Sequence, residues 1–237
     1  MRQNLQTLYT EYKAMSALLH RLETAPDLVE QAYRALLDAI SSGALAPGER
    51  ITQEDLAARL AVSRQPVLQA LRLLKQEGLL QDAPGRGLMV APLDPAALRH
   101  TYQVRGALDA LAARLAAARR VSLPAALLRT GRRAAQGRDV AAMLEADIAF
   151  HRALYAASGN PYIQRSAETH WAHIRRAMGA VLQDTQARRP VWDEHEAIAD
   201  AVARGQAETA ASAAANHAHQ ASAYLATRLQ PARGDTA

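Results

Sequence analysis

Nearly a quarter of the 237 residues are Ala, and they crowd the chain after residue 100. Ala is the best helix former and a poor strand former, so an all-β fold is excluded in practice. Hydrophobic residues make up 49% and charged residues 22%, enough to bury a core and too apolar for a disordered chain. Aromatics are scarce at 4%, with a single Phe. The length suits one large domain or two small ones. No apolar run reaches the roughly 18–20 residues that span a bilayer. The first residues, MRQNLQTLYTEYKAM, hold no uninterrupted apolar segment of the kind a signal peptide needs. Cys is absent, which removes disulfides, thiolate metal sites and Cys nucleophiles. The expectation is a soluble cytoplasmic protein with no membrane partner.

The formal net charge is +5, and its placement says more than its size. Residues 1–90 hold ten basic and ten acidic residues, so the surplus lies beyond them. Within that balanced segment, residues 56–76 carry Arg59, Arg64, Arg72 and Lys75 and no acid. Positive charge is thus focused on one short stretch.

Residues 1–25 read as an N-terminal extension. From Pro26 the pattern sharpens. Asp27 is placed to cap a helix in which Leu28, Val29, Ala32, Leu36, Leu37 and Ile40 recur at helical spacing. Ser41-Ser42-Gly43 ends it. Thr52 opens a second helix, with Asp55 three residues on in the manner of a capping box. Ser63 opens a third, with Val67, Ala70, Leu71 and Leu74 inward and Gly78 after its end. Leu79-Leu80, a Gly-rich tip at 83–87, and Leu88-Met89-Val90 then read as a β-hairpin. Three short helices followed by a hairpin form the winged helix-turn-helix pattern, predicted over 26–93.

In such a unit the N-terminal end of the second helix of the motif enters the major groove of DNA. Here that end is Ser63-Arg64-Gln65-Pro66. A helix N-terminus offers free N–H groups to a phosphate. Arg64 can bond bidentately to guanine and Gln65 to adenine. Arg59 and Arg72 are better placed for phosphates. Arg86, between Gly85 and Gly87, sits on a tip slim enough for a minor groove. Any one of these residues alone would be an ordinary surface residue. Their order along the motif points to double-stranded DNA.

The stretch LVEQAYRALLDAISSGALAPGERITQEDLAARLAVSRQPVLQALRLLKQEGLLQDAPGRGLMVAPL resembles the DNA-binding domain of the GntR family of regulators, down to VSRQPV and the EGLL…GRG wing. Leu68 and Gln69 stand where that family commonly has Arg and Glu, and Glu54 where an Arg is often found. Base reading therefore falls more heavily on Arg64.

From Asp94 to Thr227 the sequence reads as helices only, broken at 122–124, 137, 159–161, 189–190 and 205. This predicts six helices, at about 95–120, 124–136, 139–158, 161–184, 190–204 and 206–228, in an all-α domain over 94–228 followed by a tail, 229–237. The overall fold class is mainly α. On the third of these helices Asp147 and His151 are four residues apart on the apolar face. His195 shares a face with Val191, Ile198 and Val202, and His217 a face with Ala210, Ala214 and Ala221, whereas His219 points elsewhere. Each His alone reads as a core residue. Three imidazoles and a carboxylate directed inward from three helices suit a divalent ion, Zn²⁺ or Ni²⁺ foremost. His100, His170 and His173 read as solvated or structural. Glu194 and Glu196 flank His195 but are expected on other faces.

This part resembles the FCD effector-binding domain of the FadR-like branch of the same family, through VRGALDALAARLAA, DIAFHRALYAASGNP, the HWAHIRRAMG run and DEHEAIADAVARGQAETAASAAANHAH. Six helices match the shorter VanR-like subgroup. Asp109 stands where Glu is more usual. The resemblance places the family's metal ligands on Asp147, His151, His195 and His217, and implies a small carboxylate effector completing the metal's coordination. Arg105 is either an anchor for that carboxylate or a salt-bridge partner of Asp109, four residues on.

The expectation is a DNA-binding transcription regulator, a repressor acting as a homodimer on a near-palindromic operator, and not an enzyme. Two rivals are a metal-dependent hydrolase-like enzyme, since Asp/His₃ with open positions can activate water, and a DNA binder that needs no ligand.

Overall fold

The computed structural model describes residues 28–182 and 188–229. The expected extension at 1–25, the Asp27 cap and residues 230–237 of the tail lie outside the described residues.

The N-terminal unit is built from α1 (Leu28–Ser42), β1 (Arg50–Ile51), α2 (Gln53–Leu60), α3 (Arg64–Gln76), β2 (Leu80–Asp82) and β3 (Leu88–Val90). Leu36, Ile40, Leu56, Val67, Leu71 and Leu74 close one core. Thr52 caps α2 through its side chain, which accepts from the Asp55 amide at 3.2 Å, worth about 1 kcal/mol. Ala61, left-handed at φ 53°, turns the chain from α2 into α3. Ser63 takes the N-cap position of α3 but makes no side-chain capping bond, contrary to its expected role. Gly78, at φ +75°, ends that helix as expected. The sequence pattern missed β1. Two residues are too few for an alternation to show, yet β1 pairs antiparallel with β3, giving the order β1-β3-β2.

The C-terminal unit comprises α4 (Pro95–Ala118), α5 (Ala125–Gln136), α6 (Val140–Ser158), α7 (Pro161–Glu168), α8 (Trp171–Val181), α9 (Arg188–Ala203) and α10 (Ala207–Arg228). Seven helices stand among the described residues where six were expected, because 161–184 is two helices. That changes the count on which the likeness to the VanR-like subgroup was drawn. No Gly or Pro marks the break at Thr169-His170. There the Thr169 hydroxyl donates back to the Ser166 carbonyl at 3.1 Å, and the His170 amide to that of Ala167 at 3.0 Å. Such local closure ends a helix without a sequence breaker.

The helix starts are legible in their caps. Asp94, Asp139 and Asn160 each accept from a first-turn amide of α4, α6 and α7. The Ala-rich faces explain the packing of α4 against α10. Ala112, Ala113, Ala116 and Ala117 on α4, and Ala210, Ala214 and Ala218 on α10, are fully or almost fully buried. A Cβ on Gly106 would stand 3.1 Å from the Ala218 Cβ. Helix axes approach this closely only when the contact residues are small.

The two units meet at α8, which packs on α1 and buries part of Ala172 in the N-terminal core. From α8, His173 Nε2 donates to the Glu77 carbonyl at 2.9 Å, and Arg176 donates to the Ala91 carbonyl.

Candidate metal centre and DNA interface

The four ligands expected from the helical part come together. Asp147 and His151 arrive from α6, His195 from α9 and His217 from α10, each at most 3% exposed. One ligand atom from each lies within 4.8 Å of the others. His195 Nε2 is 3.2 Å from His217 Nε2 and 3.4 Å from Asp147 Oδ1. Metal bonds of about 2.1 Å at angles of about 90–110° set neighbouring donors about 3.0–3.4 Å apart, and these two separations suit donors to one ion. Phe150 stacks on the His195 ring at 4.3 Å and Trp192 meets it edge-on at 4.6 Å, which fixes its tilt.

Asp147 Oδ2 and His151 Nε2 are buried with no protein hydrogen-bond partner. A buried polar atom left unpaired costs about 1–3 kcal/mol, and a bound cation would satisfy both. The residues therefore fit a divalent ion. Burial, then the charges of His217, His151 and Arg105, push the His195 imidazole well below its usual range. Burial also lowers His151, with Arg105 adding to the effect and Asp109 opposing it. Neutral imidazole is the form that ligates a metal.

Around this set lies a ring of orienting groups that the sequence reading undervalued. Glu194, expected on another face, places Oε2 2.7 Å from His217 Nδ1. One residue of helical rotation from His195 lets its longer side chain reach round to the neighbouring helix. With Nδ1–H donated to that carboxylate, His217 keeps the Nε2 lone pair for a metal. Asp109 stands farther off, with Oδ1 3.5 Å from His151 Nδ1, which makes no hydrogen bond, while accepting from the Tyr155 hydroxyl at 2.5 Å. Burial alone would raise the Asp109 pKa, but the charges of His151 and Arg105 and the Tyr155 hydroxyl hold it below the usual carboxylate range. The pairing of Arg105 with Asp109 is present at 3.3 Å, and a second amino group of Arg105 lies 3.8 Å from Asp147. Arg105 also lies over the Trp171 ring, 4.5 Å from its centroid. Its Nε and that same amino group have no hydrogen-bond partner despite full burial. Glu196, by contrast, is held away from the site by Arg132, and His219 is exposed.

In the N-terminal unit Arg59, Ser63, Arg64, Gln65 and Arg72 are exposed along α2 and α3, as a DNA-facing surface requires. Pro66 is buried, so it shapes the start of α3 from within rather than offering a surface. Arg64 pairs with Glu54 at 3.1 Å and Arg59 with Asp55 at 3.6 Å. At the hairpin tip Gly85 and Gly87 take φ +90° and +91°, values that disfavour any side chain, and Arg86 is exposed between them. Arg50 was not singled out in the sequence. From β1 its guanidinium donates to the carbonyls of Arg86, at 3.4 Å, and Pro84.

A winged reader joined to a helical domain with a buried Asp/His₃ set matches two known families. Residues 28–90 match the gntR family of bacterial regulatory proteins, and residues 100–220 match the FCD domain. The chain belongs to the GntR family and carries an FCD domain. It is 33% identical, over 190 residues, to a helix-turn-helix-type transcriptional regulator in an unstable DNA locus of Streptomyces ambofaciens, covering 78% of this chain and 79% of that protein. It is 36% identical to the transcriptional repressor RspR of Escherichia coli over 88 residues, 37% of this chain and 39% of that one. The solved structure of Escherichia coli McbR/YncC shares the fold, with a TM-score of 0.72 at 22% identity, over 88% of this chain and all of the other. This GntR-family chain is thus a DNA-binding transcription regulator with an effector domain, and not an enzyme. Among the described residues no helix is long and apolar enough to cross a membrane.

Proposed function

We propose that this GntR-family regulator is a cytoplasmic repressor that works as a homodimer on a two-fold operator, and that a metal-assisted small carboxylate acts on it through the FCD domain. The ion is Zn²⁺ or Ni²⁺, held by Asp147, His151, His195 and His217, since borderline ions favour imidazole with one carboxylate. When bound, it would supply Lewis-acid attraction for an external oxygen donor. The observation that carries this reading is the pair of buried atoms that make no hydrogen bond, Asp147 Oδ2 and His151 Nε2, within a cluster whose spacings suit one ion. The likeness to RspR, whose name gives it as a repressor, supports the sign of regulation.

The chain's own residues do the remaining work. Glu194 sets the tautomer of His217. Arg105, paired with Asp109 and buried beside Asp147 with donors that make no hydrogen bond, offers a positive fork to the acid. On DNA, Arg64 and Gln65 read base edges, Ser63 and the α3 N-terminus with Arg59 and Arg72 hold phosphates, and Arg86 on its Gly85-Gly87 tip enters a minor groove. The switch is a difference in effector affinity between two arrangements of the readers.

A thermal-shift screen of organic acids tests the effector half on metal-loaded protein, chelator-stripped protein and Arg105→Ala. A ligand at 100 times its Kd adds about 2.7 kcal/mol of stability. Shifts should vanish on stripping and shrink in Arg105→Ala. An acid that shifts loaded and stripped protein equally would make the metal structural and defeat the coordination step.

A further inference from the structure

Beside the four ligands lies a cavity of about 250 Å³ reached by Asp147, Glu194 and His217. Its remaining wall is mostly apolar, formed by Met178 and Leu182 at the end of α8, Val191 on α9, and Ala221 and Leu225 on α10. Pro190, the polar Gln220 and Tyr224 complete it, the last with a buried hydroxyl that has no hydrogen-bond partner. We infer that the effector is a monocarboxylic acid with an uncharged apolar body, the carboxylate toward the ion and the body against Met178, Leu182, Val191, Ala221 and Leu225. This deepens the reading above and rests on it.

Two physical arguments set the class. The first is charge. The charged side chains at the site, Arg105, Asp109, Asp147 and the 29% exposed Glu194, sum to two surplus negative charges, which a divalent ion balances. One carboxylate on the ion then already adds a negative charge. A second carboxylate in the same cavity would face Asp147 and Glu194 at low dielectric, where like charges are costly. The second is size and polarity. The cavity is smaller than the roughly 300–1,000 Å³ of ordinary small-molecule pockets, so it admits a short chain or a single ring. An apolar wall favours a body that loses nothing on leaving water, whereas hydroxyl groups of a sugar acid would be stripped of hydrogen bonds with few replacements. Tyr224 and Gln220 offer the polar contacts beside the body.

Chain length is the direct probe. Acetate, butyrate and hexanoate are titrated calorimetrically into the zinc-loaded full chain, with adipate as the six-carbon acid bearing a second carboxylate. Affinity should rise about fourfold per methylene, the usual worth of burying one such group. Adipate should bind at least tenfold more weakly than hexanoate. Ala221→Phe, which fills the cavity, and Val191→Asn, which makes its wall polar, should each bring hexanoate down toward acetate. Zinc content should stay at one equivalent in both variants. Should Ala221→Phe fail to fold, Val191→Asn carries the test by itself. A flat series, adipate binding as well as hexanoate, or wild-type discrimination in a folded variant would overturn the inference alone. Failure of every acid, acetate included, to bind zinc-loaded protein would overturn it together with the metal-assisted reading.

Discussion

Glu54 Oε1 lies 3.1 Å from a terminal nitrogen of Arg64, a pair that joins the start of α2 to the first residue of α3. Their side chains are 50% and 67% exposed, so the pair adds about 0–1 kcal/mol to stability at most. Its consequence is for DNA. On the proposed docking, Glu54 would restrain the guanidinium that enters the major groove and would place a negative charge near the phosphates. Arg64→Ala should weaken operator binding by about 1–3 kcal/mol, the worth of a bidentate base contact, and relax preference at one base position. Glu54→Ala should instead raise affinity for random DNA and narrow the gap between operator and random DNA. Salt-dependent fluorescence anisotropy on both DNAs measures this. Equal losses on the two DNAs for Arg64→Ala would remove it as a base reader.

Arg72 and Arg50 should separate in the same assay. Arg72→Ala should remove the proposed phosphate contact, so that all DNA weakens about equally and the salt slope falls by about one. Arg50 holds the hairpin tip by its carbonyls. Arg50→Met should loosen the tip and lower affinity only while Arg86 is present. Additive losses in Arg50→Met with Arg86→Ala would show that Arg50 acts on DNA directly.

His151→Ala should abolish bound metal while the protein stays folded, because the apolar contacts of α4, α6 and α10 do not depend on that ligand. Glu194→Gln leaves all four ligands in place yet weakens the hold on the His217 tautomer, so metal affinity should fall about 10–100-fold. Elemental analysis and a competing chelator read both. A full equivalent of metal in His151→Ala would show that the four residues do not form one site.

His173 reports on the junction between the units. Its Nε2 donates to the Glu77 carbonyl. Burial, opposed by that hydrogen bond and reinforced by Arg176 and His170, lowers its pKa from the ordinary 6.5. A lowered imidazole value means that the folded junction prefers the neutral form. Its contribution is complete above pH about 6.5 and is lost as the pH falls through the lowered folded value. His173→Ala should flatten that acid-side loss and shrink the effect of an effector on operator affinity, leaving metal content intact. Unfolding followed from pH 7.5 to 5 in both proteins is the check. Parallel pH curves would remove His173 as the titrating group.

Much of the molecule was legible because periodicity and caps are local. Thr52, Asp94, Asp139 and Asn160 announce helix starts by chemistry visible within three residues, and the spacing of Asp147 and His151 puts them on one inward face. The same logic brought His195 and His217 to the site, since a His among Val, Ile and Ala on a helical face has nowhere else to point. What failed were features without a local signature. The break at Thr169-His170 has no Gly or Pro, and β1 is two residues long and exists only because β3 pairs with it.

Sequence by itself thus determined the helical class, the winged reader and the inward direction of the four candidate ligands, because each follows from side-chain period and backbone preference within a few turns. Only the tertiary structure decided the rest. It brought Glu194 onto His217 from a neighbouring helix, and set Arg105 between Asp109 and Asp147 rather than beside one of them. It turned α8 so that Trp171 and Met178 face the metal side while His173 and Arg176 hold the reader. Those relations depend on how helices far apart in the chain cross and how long each side chain reaches. Residue spacing along one helix does not contain that information.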